Sequence, residues 1–381
     1  MHTLRPIFFT SFFFSAHLAL ISYINSSMLK LHLGPQTIST VFATASCISI
    51  ILLACAPRII KRVGNVAFSL SVLLLCAALL IVLGTASTTP VVITAFVLYF
   101  SLTASILYSI DLFIEHYSAE KNTGNIRGIA LTVNNIGWVA MPALVGGIAA
   151  LYGFGTVYLI AALVLGLAAC VIAISQRHFS DKPYVIPNVQ AAFKRVQSFP
   201  ALRRVISLHF LLQFFFSWMV LYVPLYLASV LGFAWDSIGM IISIMLIPFV
   251  LFVYPAGRVA DKWLGEKELM IAGLMITGVA TILFATLQAP TFALIALTLF
   301  CTRIGASILE VMCDSYFFKH VNDTDSGVIS LYRTMQPFAY IAGPLTGALV
   351  LLFTDYTTLF FTLGIIMLLG VLYALRIVDT R

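Results

Sequence analysis

Three ionisable side chains stand inside one apolar stretch of the sequence, residues 291–317: Arg303, Glu310 and Asp314. Their spacings of seven and four residues place them on one stripe of an α-helix, which turns once in about 3.6 residues. Ionisable groups are costly to hold at membrane depth, so they mark functional sites more often than lipid-facing surface. We therefore take these three residues as the first candidates for chemistry.

The pairing of a cation with a carboxylate suits either anion binding or proton transfer. Arg303 lies about twelve residues into its stretch, which is near the midplane if that stretch spans a membrane. A substrate that displaced Arg303 would change the charge facing Glu310, and proton binding would then be coupled to substrate binding. The alternative for Arg303 is a structural pair on a neighbouring helix. Asp314 lies nearer the end of the stretch and suits a gating ion pair.

Other apolar stretches contain further candidates. His17 is central in the first stretch, where a histidine that titrates near neutrality suits proton coupling and a packing histidine is an equal alternative. Gln213 shares a helix face with His209, and such an amide can contact substrate or simply join helices by hydrogen bonds. Asp111 is an alternative proton carrier. We therefore predict a substrate and proton site formed by Arg303, Glu310, His17, Gln213 and Asp111.

The composition shows what must position these residues. Of 381 residues, 61% are hydrophobic and 9% are charged, whereas soluble domains average about 45–50% apolar and about 25% charged residues. A span needs about 20 apolar residues. The sequence predicts an all-α membrane protein of twelve spans, at about 6–27, 36–57, 66–86, 91–113, 127–150, 153–175, 204–229, 237–256, 269–287, 291–317, 328–352 and 356–376.

The placement of Lys and Arg predicts the orientation of the spans. These residues concentrate in every second connection, and the remaining connections contain only Lys30. Because Lys and Arg stay on the cytoplasmic side, both termini are expected there, in a bacterial inner membrane. We predict a six-helix bundle over 1–176, a cytoplasmic linker over 177–203 and a second six-helix bundle over 204–381. The N-terminal apolar run is interpreted as the first span, not as a cleaved signal peptide.

One connection is unusually rich in charge. The segment GRVADKWLGEK, residues 257–267, follows the eighth span, and PRIIKRVGN, residues 57–65, follows the second span. Other short segments also recur in the same order at offsets near 200 residues, among them MPALVGG at 141–147 and GPLTG at 343–347. These pairs predict two halves of six spans each, related as a parallel repeat with an axis along the membrane normal.

On these motifs the chain resembles the Major Facilitator Superfamily. Gly257, Asp261 and Lys262 match the signature of its loops between spans two and three and between eight and nine, whereas Lys61 replaces the acid in the first copy. The resemblance implies that spans one, four, seven and ten line a central cavity. It also implies a cytoplasmic gate, for which we predict Gly257, Arg258, Asp261, Lys262, Arg62 and Asp314; unpaired positive-inside charge is the alternative.

The resemblance implies a secondary transporter that moves a small molecule by alternating access, with protons as the expected coupling ion. Export is favoured because GPLTG resembles a signature of exporters in this family. Two alternatives remain open: proton-coupled uptake of a small metabolite, anionic in view of Arg303, and lipid flipping.

Several other function classes are disfavoured by the sequence. It has no phosphate-binding loop for ATP and no HExxH or GxSxG motif, so we expect no enzyme activity and no cofactor. The six cysteines stand in apolar runs without a CxxC pattern, so no metal site is expected. The basic residues are not gathered on a soluble domain, so nucleic acid is not an expected partner. The expected partners are the bilayer, protons and a small-molecule substrate, and the expected state is a monomer.

Overall fold

The computed structural model describes residues 5–117, 123–177, 179–181, 189–287, 291–321 and 326–378. Across these residues the regular structure is α-helical. The helices are α1 (Arg5–Ser22), α2 (Asn25–Lys30), α3 (Pro35–Val63), α4 (Asn65–Thr85), α5 (Thr89–Tyr117), α6 (Thr123–Ser175), α7 (Val189–Ser198), α8 (Pro200–Ser229), α9 (Trp235–Leu246), α10 (Pro248–Leu251), α11 (Val253–Lys262), α12 (Glu266–Ala285), α13 (Phe292–His320), α14 (Ser326–Arg333), α15 (Met335–Phe353) and α16 (Tyr356–Ala374).

The helix lengths and compositions confirm a membrane protein. Within the described residues, eleven helical segments are long and apolar enough to cross a bilayer. One of them, Val133–Ser175, is 43 residues long and contains Gly153, whose φ of 77° and ψ of 172° break the helix. About 20 residues suffice for one span, so this segment is two spans joined directly at Gly153. The total is therefore twelve, and the predicted break near Gly153 is confirmed.

The chain divides into two compact units. The first comprises Met1–Ile186 and Leu227–Ser243, and the second comprises Pro187–Tyr226 and Ile244–Arg381. The division after Ile186 falls inside the predicted linker 177–203, whereas Leu227–Ser243 groups with residues from the first half of the sequence. The division into halves at 1–176 and 204–381 therefore stays a prediction.

The same helix pairings occur in both parts of the sequence. In the first unit α4 packs on α5 and α6, and in the second unit α12 packs on α13 and α16. A Cβ atom at Gly155 of α6 would lie 2.6 Å from the carbonyl oxygen of Gly84 in α4. A Cβ atom at Gly364 of α16 would lie 2.8 Å from that of Gly278 in α12. Small residues allow this close approach of helix backbones in membranes, and its recurrence supports the predicted repeat.

The eighth predicted span is a helical segment in which regular hydrogen bonding is interrupted twice. It consists of α9, α10 and α11, with interruptions at Ile247, immediately before Pro248, and at Phe252, although both residues keep helical backbone angles. Proline lacks the backbone N–H of a helical hydrogen bond, which accounts for the first interruption. The helical structure also continues to Lys262, so Gly257 and Arg258 are helical residues. The connection expected over 257–267 is therefore limited to the three residues 263–265.

Candidate functional site

Arg303 is buried in the middle of α13. Its side chain is 1% exposed, and its guanidinium carbon lies 5.1 Å from the ring centre of Phe215 and 5.3 Å from that of Phe216, both in α8. A cation over an aromatic face is attracted by the negative charge of the ring, and more strongly where water is excluded. The second unit therefore contains a buried positive charge near the middle of α13, and two phenylalanine rings of α8 stabilise it.

A polar and aromatic cluster lies further along α13. The Tyr332 hydroxyl donates a hydrogen bond of 2.5 Å to the Asp314 carboxylate. The Tyr332 ring stacks on His209 of α8 at 4.0 Å and on Phe317 at 4.1 Å between ring centres. Glu310 is half-buried and lies within Coulombic range of Asp314 and of two arginines, Arg303 and Arg333. We name His209, Glu310, Asp314 and Tyr332 the α13 cluster.

His17 lies in the first unit, and both of its ring nitrogens have partners. Nδ1 donates to the Phe14 carbonyl oxygen, which can only accept. Nε2 is 3.0 Å from the Tyr99 hydroxyl of α5, so it accepts a hydrogen bond from that hydroxyl when the ring is neutral. The side chain is completely buried. This arrangement favours the packing interpretation of His17, and its predicted role in proton transfer stays a prediction.

The two remaining predicted cavity residues, Asp111 and Gln213, belong to different units, and their predicted role in the cavity stays a prediction. Asp111 is exposed on α5 in the first unit. Gln213 is buried at 9% exposure on α8 in the second unit, one helical turn from His209. The structure thus brings Glu310 and Asp314 together with His209, which was recognised in the sequence only as a neighbour of Gln213.

The predicted gate residues lie at helix ends. Arg62 is exposed near the end of α3, and Arg258 and Lys262 are exposed on α11 beside Gly257. The Arg258 guanidinium lies 5.9 Å from the ring centre of Tyr254 in the same helix. The side chain of Asp261 lies outside the described residues. Ion pairing across a cytoplasmic gate therefore stays a prediction.

A buried carboxylate that sequence reasoning missed lies beside this segment. Glu266, the first residue of α12, is 1% exposed and forms an ion pair with Lys319 of α13. The Ser315 hydroxyl donates a further hydrogen bond of 3.2 Å to the same carboxylate oxygen. The sequence motif pointed to Asp261 as the functional acid of this segment, whereas the buried acid is Glu266, which follows Gly265. A glycine followed by an acid at a helix start was the available signal.

A second missed carboxylate belongs to the linker. The backbone N–H of Asn65, the first residue of α4, donates a hydrogen bond of 3.0 Å to the Asp181 carboxylate. A Cβ atom at Gly64, where φ is 84°, would lie 2.7 Å from the other oxygen of that carboxylate. A carboxylate at a helix N-terminus satisfies a free N–H and faces the positive end of the helix dipole. In the first copy of the charged motif, residues 57–65, Lys61 stands where the second copy has Asp261. Asp181 of the linker provides a carboxylate beside this first copy.

The GPLTG segment lies in α15 against α8. The Trp218 indole donates a hydrogen bond of 2.6 Å to the Gly343 carbonyl oxygen, and the Tyr222 hydroxyl donates one of 3.0 Å to that of Pro344. A Cβ atom at Gly347 would lie 2.4 Å from the Tyr222 ring. The glycines therefore allow two large aromatic residues to pack on the helix backbone.

The related MPALVGG segment in α6 also makes a close backbone contact, within the first unit. A Cβ atom at Gly239 of α9 would lie 2.4 Å from the Pro142 carbonyl oxygen and 2.7 Å from the Gly146 Cα. The Ser243 hydroxyl accepts a hydrogen bond of 2.8 Å from the backbone N–H of Ala143. Both copies of the proline and glycine motif therefore lie where a helix packs closely.

Comparison with known proteins places this geometry in a family. A family model described as Major Facilitator Superfamily matches residues 7–239 and 205–381. No curated protein sequence matches the chain.

Solved structures share the fold at low sequence identity. A structure described as an auto-inhibited POT family peptide transporter has a TM-score of 0.80 and 11% identity, over 100% of this chain and 98% of that chain. A peptide transporter POT in complex with sulfate has a TM-score of 0.77 and 15% identity, over 98% of this chain and 94% of that chain. At such identities the likeness concerns the fold alone. The family match along nearly the whole sequence, together with this fold, shows that the chain belongs to the Major Facilitator Superfamily of membrane transporters.

Proposed function

We propose that this protein is a proton-coupled secondary transporter that exports a small molecule by alternating access. The observation that carries the proposal is Arg303, a cation 1% exposed at mid-span with a half-buried carboxylate, Glu310, two turns along the same helix. An ionisable residue at this depth costs several kcal/mol, and a role in binding or coupling explains why the chain retains it. Arg303 would bind an anionic or polar group of the substrate.

The α13 cluster supplies the proposed proton site. Tyr332 donates to Asp314, and the positive charges of Arg303 and Arg333 lie within Coulombic range of Glu310. A substrate group that neutralises Arg303 removes part of the positive charge that favours the ionised form of Glu310. Substrate binding and proton binding at Glu310 are then thermodynamically coupled.

Export is favoured over uptake because GPLTG at 343–347 resembles a signature of exporters in this family. We further propose that 1–176 and 204–381 act as the two six-helix halves and that 177–203 joins them. The proposed cytoplasmic gate consists of Gly257, Arg258, Asp261, Lys262, Arg62 and Asp314. In this proposal the protein is a monomer in a bacterial inner membrane with both termini in the cytoplasm.

The proposal is tested in two steps. A thermal-shift screen of the purified protein with small organic anions, cations and short peptides identifies a ligand, because a ligand of the folded state raises the melting temperature. Inverted membrane vesicles with an acidic interior then distinguish direction: a proton-driven exporter accumulates the ligand, and a proton-driven importer does not. Glu310→Gln should abolish the dependence of transport on the proton gradient.

Glu268→Gln is the matched control, since Glu268 is an exposed acid near the start of α12. It should leave transport and its pH dependence unchanged. Transport by Glu310→Gln with an unaltered pH dependence would refute the proposed coupling site.

Uptake of a small anionic metabolite or peptide is the second candidate. The cation at Arg303 and the shared fold with solved peptide transporters favour it. Lipid flipping is the third candidate, and a dithionite assay with fluorescent phospholipid in proteoliposomes measures it directly. Ligand accumulation in right-side-out vesicles with an acidic exterior would support uptake. In the dithionite assay, loss of more than half of the fluorescence would support flipping, because dithionite reaches only the outer leaflet.

A further inference from the structure

The region around the start of the seventh span carries a surface that is both basic and aromatic. We name Phe193, Lys194, Arg195, Phe199, Arg203 and Arg204 the linker surface; these residues belong to α7, to the start of α8 and to the residue between them. Phe193 is 52% exposed and Phe199 is 55% exposed, and Lys194 and Arg203 are also exposed. The Arg195 guanidinium lies 5.9 Å from the ring centre of Phe199. This part of the chain therefore combines four cations with two exposed aromatic rings.

The opposite side of α7 is already occupied. Ala192 is 5% exposed and Val196 is 7% exposed, and α7 packs on α14 within the second unit. The helix is thus held against the protein by its small apolar residues. Phe193 and Lys194 of the same helix are exposed and therefore accessible to a partner.

The length of α8 places this surface at a membrane boundary. The helix has 30 residues, or about 45 Å at about 1.5 Å per residue, whereas the hydrocarbon core is about 30 Å thick. The helix is therefore longer than the core. Arg203 and Arg204 stand in its first two turns, and the cost of burying Arg in hydrocarbon keeps that end among the lipid headgroups.

The charge of this region calls for an anionic partner. The sequence contains no Asp or Glu between Asp181 and Asp236. Basic residues next to a membrane attract anionic headgroups, and exposed aromatic rings favour the boundary between headgroups and acyl chains. A soluble anion would satisfy the cations but would leave both phenylalanines in water.

We infer that the linker surface binds anionic phospholipid, with Lys194, Arg195, Arg203 and Arg204 facing the headgroup phosphates and with Phe193 and Phe199 at the acyl boundary. The linker surface shares no residue with the α13 cluster and does not include Arg303, and the inference does not depend on the proposed transport reaction. Its ligand is a component of the bilayer itself, and it would anchor α7 at the headgroup level.

Native mass spectrometry of the full-length protein in neutral detergent tests the inference. Dioleoyl-phosphatidylglycerol and dioleoyl-phosphatidylcholine are titrated separately, and the wild type should retain phosphatidylglycerol preferentially. The triple variant Lys194→Gln, Arg195→Gln and Arg203→Gln should lower phosphatidylglycerol affinity on the order of a hundred-fold, since each cation near an anionic surface contributes about five-fold. Its phosphatidylcholine binding should stay unchanged.

The matched control removes three exposed cations elsewhere, with Arg58→Gln, Lys61→Gln and Arg177→Gln, and should retain phosphatidylglycerol binding. An equal loss in the control would show that net charge alone attracts the lipid, and would overturn the inference. The double variant Phe193→Ser and Phe199→Ser separates lipid from a soluble anion. It should weaken phosphatidylglycerol binding, and unchanged binding, or equal competition by glycerol phosphate, would refute a lipid site. Melting curves of each variant verify that it is folded.

Discussion

Replacement of Arg303 by methionine separates a functional cation from a structural one. Arg303→Met keeps an unbranched side chain and removes the charge from a position that is 1% exposed. If Arg303 serves binding or coupling, the variant should fold normally and fail to transport. If Arg303 serves only to hold helices together, the variant should lose stability and the folded fraction should still transport.

The expected change in stability follows from two opposing terms. Holding an arginine at mid-span costs about 2.5–3.5 kcal/mol on insertion scales. The ring centres of Phe215 and Phe216 lie 5.1 and 5.3 Å from the guanidinium carbon of Arg303. In a site without water, each ring stabilises the cation by about 1–2 kcal/mol. The two terms nearly cancel, so Arg303→Met should change the free energy of unfolding by less than about 1 kcal/mol, or a few degrees in melting temperature.

The assay measures melting temperature and transport on the same preparations. Transport of the ligand identified by thermal shift should fall at least about ten-fold, which corresponds to a loss of about 1.4 kcal/mol of binding. Arg177→Met, at an exposed position, is the control and should change neither quantity. Phe216→Leu keeps the cation and removes one ring, so it should destabilise the protein by about 1–2 kcal/mol. A large loss of stability in Arg303→Met with intact transport would refute the assignment of Arg303 to the site.

Three further outcomes follow from the described contacts. Lys319→Met should destabilise the protein in chemical denaturation, because it leaves the buried carboxylate of Glu266 without its cation. Lys319 is itself 45% exposed, so the expected loss is about 1–2 kcal/mol, below that for a fully buried pair, and adding Glu266→Gln should recover most of it. Asp181→Ala should lower stability by about 1 kcal/mol through loss of the hydrogen bond to the Asn65 N–H; an unchanged melting temperature would argue against this contact. Hydrogen bonds from Thr358 lower the pKa of Asp355, so its contribution is present above the unfolded pKa of about 3.9 and is lost as the pH falls through the lower folded value. Melting curves of Asp355→Ala should therefore lie below those of the wild type at pH 7 and converge with them in acid.

The membrane fold was predictable because its signals are local. A span needs a sufficient length of apolar sequence, and each of the twelve stretches carries that property by itself. The break at Gly153 was readable because glycine adopts a positive φ that other residues rarely adopt. The end of the eighth span was predicted less accurately, since the helix continues beyond its apolar part to Lys262. Helical hydrogen bonds persist in water, so apolar length does not determine where such a helix ends.

The sequence by itself determined the twelve spans, the internal repeat and the presence of Arg303, Glu310 and Asp314 on one stripe of one helix. Only the tertiary structure decided which side chains meet: Asp181 with Asn65, 116 residues apart in sequence, and Glu266 with Lys319, 53 residues apart. Helical periodicity defines the faces of a helix but carries no information about which distant side chain lies opposite. That pairing depends on the packing of several helices at once, where a buried charge is tolerated only beside a partner of opposite charge or a hydrogen-bond donor.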